Sequence, residues 1–428
     1  MRIDRLTVQN FRCFDSRTFD LTPQFNVFIG TNASGKTAVL EALAIAAGSW
    51  LLGLKGPTSQ PIRLNDVRLV GHNSGDETTF EAQYPVKICA EGRVNEQKLA
   101  WARSLNGPGG RTTHTDTAEI KHLAAQADIQ VRNGTSIVLP VVAYYGTARL
   151  WHTPNNSEVR REYSKRELSR FVGYRDSTHP RINARELTSW MERQDRIAYQ
   201  EKREPLLLRV VRQAMQQMLP DAADVRFNSR RLEIVVEFNN GVIQPFSHLS
   251  DGQRSLVGFA GDLAMRMSRL NPHLGDSVLQ QTPGIVLIDE IDLHLHPNWQ
   301  RHIVEDMRRL FPKVQFVATT HSPFIVQTLR EGELLMLEGQ PVPQLGNLGL
   351  EDIAEGLMGV PNAEVSPRYH EMVNSATRYL LTLEEAAKSP EEKLAAYKTR
   401  LAENIAPYAD NPAFQAFLEL KRAVKLKE

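Results

Sequence analysis

Residues 25–37 read FNVFIGTNASGKT, a short apolar run followed at once by a glycine-containing loop that ends in Lys-Thr. The loop has the spacing G-x-x-x-x-G-K-T, and residues 38–47 continue as an apolar helical pattern. Such a loop curls its amides around phosphates, its lysine reaches the β- and γ-phosphates, and its hydroxyl ligates Mg²⁺. The stretch therefore predicts an α/β fold organised around a phosphate-binding loop. The predicted nucleotide-binding residues are Gly30, Asn32, Gly35, Lys36 and Thr37, with Thr37 also a metal ligand.

Composition excludes several classes of protein. Lys and Arg number 51 against 50 Asp and Glu, so the net charge of +1 identifies no partner. The two cysteines, Cys13 and Cys89, supply no disulfide framework, which suits a reducing compartment. The first ten residues alternate like a strand, and no apolar run approaches the length of a membrane span. We expect a cytoplasmic protein with no membrane partner.

A second apolar run, residues 284–288, ends in the adjacent acids Asp289 and Glu290. A buried strand normally avoids adjacent carboxylates, so this pair indicates a bound ion or a reactive water. Asp289 is the predicted Mg²⁺ ligand, and Glu290 is predicted to orient and deprotonate the attacking water.

The stretch SHLSDGQRS, residues 247–255, precedes another apolar helical pattern and is called the signature stretch below. Ser250 is the predicted N-cap, and Gly252 lets another backbone come close. A helix start binds phosphate oxygens, because its amides are unpaired and its dipole is positive there. An ordinary turn-to-helix junction has the same pattern, so the stretch alone leaves both interpretations open.

Two further polar segments follow the acidic pair. Residues 291–297, IDLHLHP, are called the crossing loop below; the spacing of His294 and His296 also suits a metal, but no further ligands are evident, which favours a structural or interface role. Residues 314–320 form a third apolar run that delivers His321. A histidine there can donate a hydrogen bond to a γ-phosphate and so report its presence.

The order of phosphate loop, signature stretch, strand-Asp-Glu, crossing loop and histidine resembles the ABC-type ATPases of the SMC, RecF and OLD group. EIDLHLHP followed by TTHSPF is most similar to the OLD-type branch and to the ATPase subunits of Septu anti-phage defence systems. The resemblance implies ATP and Mg²⁺ as cofactors and a head-to-tail dimer or larger oligomer. In that dimer Ser250, Gly252, Gln253 and Asp292 would meet ATP held by the other subunit. It also implies a separately encoded HNH-type nuclease partner.

The chain departs from these families at several positions. Asp251 stands where the signature commonly has glycine, which puts an acid near the expected γ-phosphate site. No long heptad segment indicates a coiled-coil arm. Glu338-Gly339 is similar to the start of a Toprim nuclease, but no Asp-x-Asp follows it, so we expect no nuclease centre.

Three regions carry weaker signals. Residues 79–90 alternate like one strand, and Gln83 within them is a candidate metal-contacting glutamine or a solvent-facing residue. Residues 137–145 read as a buried strand leading to Arg149, which lies near the ligand or on the surface. Between 149 and 231 there are 18 Lys and Arg against 11 Asp and Glu, an excess of seven. That basic region either follows a nucleic-acid backbone or is a solvated helical insertion.

The predicted fold is an α/β, ABC-type P-loop ATPase head with a helical insertion and a helical C-terminal tail. The predicted domains are an N-terminal ATPase lobe at 1–149, a basic insertion at 150–231, a C-terminal ATPase lobe at 232–337 and a tail at 338–428. The predicted catalytic residues are Glu290 and His321. The expected function is an ATPase that switches an assembly and controls a separate nuclease. The alternatives are an ATPase that clamps DNA during repair and a nucleotide-gated scaffold with little turnover.

Overall fold

The computed structural model describes residues 1–74, 77–147, 169–180, 182, 184–338, 348–360, 366–387, 399 and 411–426. The chain divides into two compact units, Met1–Leu350 and Glu351–Glu428. The predicted Arg149 and residues 150–168, 181 and 183 of the basic region lie outside the described residues. The domain boundaries predicted above remain predictions.

The first unit contains fourteen strands in the described residues. They are β1 (Arg2–Phe11), β2 (Phe14–Asp20), β3 (Phe25–Ile29), β4 (Leu69–Ser74), β5 (Glu77–Ala82), β6 (Val86–Val94), β7 (Gln97–Leu105), β8 (Val141–Tyr145), β9 (Ala222–Asn228), β10 (Glu233–Phe238), β11 (Ile243–Pro245), β12 (Gly284–Ile288), β13 (Val314–Thr319) and β14 (Leu334–Met336).

The α-helices of the described residues differ widely in length. They are α1 (Lys36–Ala47), α2 (Ala118–Arg132), α3 (Ala184–Glu201), α4 (Leu206–Met218), α5 (Asp251–Leu270), α6 (Val278–Gln281), α7 (Pro297–Gln300), α8 (Ile303–Leu310), α9 (Pro323–Gln327), α10 (Leu350–Asp352), α11 (Pro367–Ala387) and α12 (Pro412–Leu426).

A five-stranded parallel sheet with the order β14-β3-β13-β12-β8 forms the centre of the first unit. All residues of β3, β8, β12 and β13 are buried, as expected of parallel strands covered on both faces. An antiparallel sheet, β2-β1-β6-β7, lies beyond α1, which contacts strands of both sheets. Because parallel strands end at the same edge, the loops after β3, β12 and β13 meet there. The α/β fold class is confirmed.

Smaller elements complete this unit. Strands β9, β10 and β11 form an antiparallel sheet, and β4 pairs with β5. The hairpin between β10 and β11 turns at the predicted Asn239-Asn240-Gly241, where Gly241 takes a left-handed conformation with φ of 81°. The signature stretch then leads into α5, which packs against α4, β8 and the 3₁₀ turn Arg170–Tyr174.

Two strand predictions are corrected. Residues 79–90 are not one strand, because the chain leaves β5 after Ala82 and resumes as β6 after Pro85. The buried strand predicted from Ile137 begins only at Val141, directly after Pro140, which has no amide to donate to a ladder.

The second unit contains α11 and α12. Tyr379 and Leu383 of α11 are buried with Leu418 of α12, and Ala376 and Phe414 pack against them.

The expectation that no apolar run approaches the length of a membrane span is corrected, because residues 36–53 have that length and hydropathy; 78% of this stretch is buried inside the protein. The stretch contains α1, which is the core helix between the two sheets.

Candidate functional site

The phosphate loop lies between β3 and α1, as its sequence predicts. Gly35 has φ of 100°, and a Cβ atom there would lie 2.5 Å from Sγ of Cys13. Both facts require glycine, since side chains strain this backbone and no space is available for one. The Lys36 ammonium donates to the carbonyls of Gly30 (2.9 Å) and Thr31 (2.8 Å). The lysine is therefore held across the loop, where a phosphate would replace these carbonyls as its partner.

The ends of β12 and α1 bring two predicted metal ligands together. Oγ1 of Thr37 donates to Oδ2 of Asp289 over 2.9 Å, although the two residues lie 252 positions apart. Asp289 is buried, and its other oxygen, Oδ1, accepts from the Thr319 hydroxyl (2.6 Å). A hydroxyl and a carboxylate are oxygen donors of the kind that Mg²⁺ prefers. Thr37 and Asp289 thus fit a Mg²⁺ ion.

Glu290 follows in a conformation that few non-glycine residues adopt. Its φ is 50°, and its amide donates to the Thr319 hydroxyl over 2.8 Å. Left-handed backbone at a residue with a long side chain costs free energy and is found most often at functional sites. One hydroxyl, that of Thr319, therefore holds both members of the acidic pair.

Lys36 lies within electrostatic reach of this pair. Burial lowers the pKa of Lys36, and the carboxylates of Asp289, Glu290 and Glu338 act against that shift. Glu338 also accepts hydrogen bonds from Thr31, from the hydroxyl at 2.7 Å and from the amide at 3.4 Å. The Glu338 carboxylate is thus hydrogen-bonded to Thr31, the second residue of the phosphate loop.

The crossing loop and the histidine are joined within the chain. Oδ1 of Asp292 accepts from the Thr320 hydroxyl and from the amide of His321 (3.3 Å). His321 is exposed at the end of β13. His296 caps α7, with its Nδ1 accepting from the Asn298 amide (3.3 Å), which supplies a structural role for that side chain. Asp292 therefore positions the backbone of the predicted switch.

The signature stretch starts α5 with a capping box. The Gln253 amide donates to Oγ of Ser250 (3.3 Å), and the Gln253 side-chain oxygen accepts from the Ser250 amide (3.0 Å). Ser250 is exposed, so a second molecule can reach it. Asp251 forms an ion pair with Arg254 on the same helix. That pair reduces the repulsion that the acid at this position would exert on a phosphate.

Gly252 is buried against its own chain. A Cβ atom at this position would lie 2.4 Å from the carbonyl oxygen of His294 and 3.3 Å from the Trp299 ring. His294 itself has φ of 65°. The backbone of Gly252 thus makes the predicted close approach, and its partner is the crossing loop of the same chain. Within the described residues, no hydrogen bond or ion pair joins residues 250–254 to the phosphate loop.

Gln83 lies just after β5. Its side-chain amide donates to the Glu81 carbonyl (3.2 Å) and its backbone amide to the Arg68 carbonyl (2.9 Å). In the part of the chain that the structure describes, no hydrogen bond joins it to Thr37 or Asp289, so the structure does not bring this candidate to the predicted metal site.

Sequence reasoning missed Thr319, Thr320 and Glu338 as parts of the site. The sequence did contain one indication that Thr319 and Thr320 belong to the site. These two adjacent hydroxyl residues directly precede His321 at the end of an apolar strand. Nothing in the sequence indicated the contact between Glu338 and Thr31, because this contact depends on the pairing of β14 with β3.

Comparison with known proteins identifies the family. Residues 25–327 match the family described as "AAA domain, putative AbiEii toxin, Type IV TA system". The chain belongs to this AAA family. The matched span includes the phosphate loop, the signature stretch, the acidic pair and His321.

Three relatives of this AAA-family chain are informative. The probable ATPase of retron Vc95 from Vibrio cholerae serotype O1 biovar El Tor is 22% identical over 390 residues, covering 79% of the chain and 73% of that protein. The probable ATPase of retron Ec83 from Escherichia coli is 36% identical over 131 residues, which are 31% of the chain and 24% of that protein. Septu protein PtuA from Bacillus thuringiensis is 34% identical over 171 residues, which are 36% of the chain and 43% of PtuA.

The matched region therefore spans less than half of the Ec83 and PtuA proteins. Together with the family, these relatives confirm the predicted resemblance to ABC-type ATPases, including PtuA, and ATP as the nucleotide.

Proposed function

We propose that this AAA-family chain is the ATP-switched subunit of an anti-phage defence complex and controls a separate nuclease, as the Septu and retron relatives suggest. Two copies join head to tail, with ATP on the phosphate loop of one copy and the signature stretch of the other. The observation that carries this proposal is the exposed Ser250 at a helix start, whose side-chain hydrogen bonds, among the described residues, stay within the first turn of its own helix.

The residues of the phosphate-loop side have distinct roles in this mechanism. Thr37 and Asp289 would hold Mg²⁺, which would supply positive charge to the phosphates. Lys36 exchanges the Gly30 and Thr31 carbonyls for phosphate oxygens. Glu290 orients the attacking water and accepts its proton. His321 donates to the γ-phosphate and transmits its loss to Asp292, which holds the His321 amide.

The signature side supplies the remaining contacts. On association, the Ser250 hydroxyl and the amides at the start of α5 bind the γ-phosphate of the other copy, because a helix start favours an anion. Hydrolysis removes that ligand and releases the two faces. The nuclease responds to this change in assembly.

The test is mass by light scattering for the wild type and Glu290→Gln, each with and without Mg-ATP, together with phosphate release. We expect Glu290→Gln to retain ATP and to release phosphate at a rate lower than that of the wild type by a factor of about 100 or more. With ATP, its mass should increase. Normal hydrolysis by Glu290→Gln would remove the role given to Glu290. A mass that ignores ATP would remove the switched dimer.

A second candidate function is clamping of DNA, which the basic region from 149 to 231 favours with its excess of seven positive charges. A RecF protein from Lactobacillus acidophilus is also 51% identical over 47 residues, which are 11% of this chain. ATP hydrolysis by the purified chain that rises on addition of duplex DNA, and falls again as salt is raised, supports this function over the first.

A further inference from the structure

A basic cavity of about 260 Å³ lies between the 3₁₀ turn at Arg170, helices α3, α4 and α5, and Pro272. It is remote in sequence from the phosphate loop, and no residue assigned above to the nucleotide site lines it. Three arginines contribute to its wall, together with an aromatic ring and a hydroxyl. These lining residues are Arg170, Trp190, Arg193, Ser268 and Arg269.

Among the described contacts of Arg170 and Arg269, two of the cavity's arginines, one carboxylate is present, that of Glu186. Arg269 donates to Glu186 over 2.5 Å, but the same carboxylate also lies 3.6 Å from Arg175. Arg170 donates to the carbonyls of Leu270 (2.7 Å) and Ile137 (2.5 Å), which carry no net charge. One buried carboxylate is thus shared, while the charge of Arg170 faces neutral acceptors.

Burial disfavours the charged form of two arginines that line the cavity. Burial lowers the pKa of Arg269; Glu186 opposes this shift, whereas Arg193 and Arg266 add to it. Burial also lowers the pKa of Arg170, and Tyr174 opposes that shift. A cation whose charged form is disfavoured by its surroundings gains from an added anion.

Ser268 adds an independent sign of a missing ligand. Its side chain is 1% exposed, and its Oγ has no hydrogen-bond partner in the described part of the chain. Buried hydroxyls are normally hydrogen-bonded, so an orphaned one on a cavity wall is unusual.

We propose that this cavity binds a terminal phosphate monoester, carried either by a mononucleotide or by the end of a nucleic-acid strand. The guanidinium groups bind phosphate oxygens as charge-assisted donors, and Ser268 supplies a neutral one. Trp190 offers an aromatic surface for the attached base. The volume suits a phosphate with its sugar or base and excludes a macromolecular surface.

The test measures binding in the Lys36→Ala background, which disables the phosphate loop and makes the result independent of ATP turnover. The ligands are AMP, a 5′-phosphorylated oligodeoxynucleotide and the same oligodeoxynucleotide with a 5′-hydroxyl, titrated by calorimetry and fluorescence anisotropy. The site variants are Arg193→Gln and Gln194→Glu, of which the second adds a carboxylate beside the cavity and removes no arginine. Arg196→Gln is the control, since Arg196 is exposed on the same helix and pairs with Glu192.

We expect AMP, the 5′-phosphorylated strand or both to bind, the 5′-hydroxyl strand to bind at least about tenfold more weakly, and both site variants to weaken phosphate binding about tenfold. Arg196→Gln keeps the wild-type affinity. AMP binding without strand binding identifies the mononucleotide as the source, and binding of the strand alone identifies a nucleic-acid end. Failure of AMP and the phosphorylated strand to bind overturns the proposal, as does binding that neither site variant changes.

Discussion

The phosphate-loop side and the signature side of this protein are built on opposite principles. Thr37, Asp289 and Thr319 come from three distant parts of the chain and are linked at the ends of buried strands. Ser250 and Gln253 lie three positions apart and bond to each other on the surface. The first side is preorganised by the whole fold, whereas the second is organised by one turn of helix and is free to change partners.

This contrast predicts that damage on the two sides has different consequences. A variant on the phosphate-loop side should impair a single chain. A variant on the signature side should leave a single chain able to bind ATP and impair only the contact with a second copy.

Lys36→Ala should have the largest effect, because it removes the ammonium that would bind the phosphates. We expect the affinity of one chain for ATP to fall about 100-fold or more. Titration with a fluorescent ATP analogue measures the loss, and Lys55→Ala, which removes an exposed lysine elsewhere, is the control. An affinity within about threefold of the wild type would contradict the role of Lys36.

Thr319→Val tests the preorganisation itself. It removes the hydroxyl that joins Asp289 to the Glu290 amide and leaves both without that partner. We expect phosphate release to fall about tenfold or more and the free energy of unfolding to fall by about 1–3 kcal/mol.

Phosphate-release assays and denaturant titration measure these two losses. The control is Thr188→Val, since the Thr188 hydroxyl bonds only to a carbonyl of its own helix among its described contacts. Unchanged hydrolysis in Thr319→Val would show that the acidic pair does not depend on this hydroxyl.

Substitutions of Ser250 separate capping from contact with a second copy. Asp and Asn cap helices as well as Ser, so both variants should keep α5 intact. Ser250→Asp places a carboxylate against the γ-phosphate and should abolish the ATP-dependent increase in mass, whereas Ser250→Asn should retain part of it.

ATP binding by one chain should remain within about twofold of the wild type in both variants. Light scattering and analogue titration on the same samples give the two readings. A mass increase that survives in Ser250→Asp would place the signature stretch outside the contact between copies.

Glu338→Gln should have the smallest effect, and in the opposite direction. The Glu338 carboxylate bonds to Thr31 and repels an incoming triphosphate. Its neutralisation should tighten ATP binding by about two- to fivefold. Glu331→Gln removes an equal, exposed charge and should change nothing. Weaker binding by Glu338→Gln would show that the carboxylate supports the loop instead of competing for it.

The local motifs were readable from the sequence because each is a contiguous run. Gly30–Thr37, the acidic pair and the Ser250 cap keep the spacing that their chemistry requires, and α1 and α5 follow them as predicted. The Asp251–Arg254 pair was not predicted, although the two residues lie three positions apart on one helix, a spacing that favours such pairs.

The residues that join distant segments of the chain at the site could not be predicted from the sequence. The bond from Thr319 to Asp289 depends on the register in which Ile288 of β12 faces Ala318 of β13. The basic cavity depends on the packing of three helices, which residue spacing does not specify. Non-local contacts of this kind are set by strand order and helix packing, and those arise only when the chain has folded.

The contact between Gly252 and the His294 carbonyl has a consequence for timing in a two-copy assembly. In the proposed assembly, the signature stretch would meet the neighbour's nucleotide, and in its own copy it contacts the crossing loop, which follows the predicted catalytic carboxylate of Glu290. If the γ-phosphate of one ATP displaced α5, that helix would move the crossing loop of its own copy. This loop lies next to the residues that are predicted to cleave the second ATP. Hydrolysis of the two ATP molecules would then be coupled. The hydrolysis rate should depend on ATP concentration with a Hill coefficient above one.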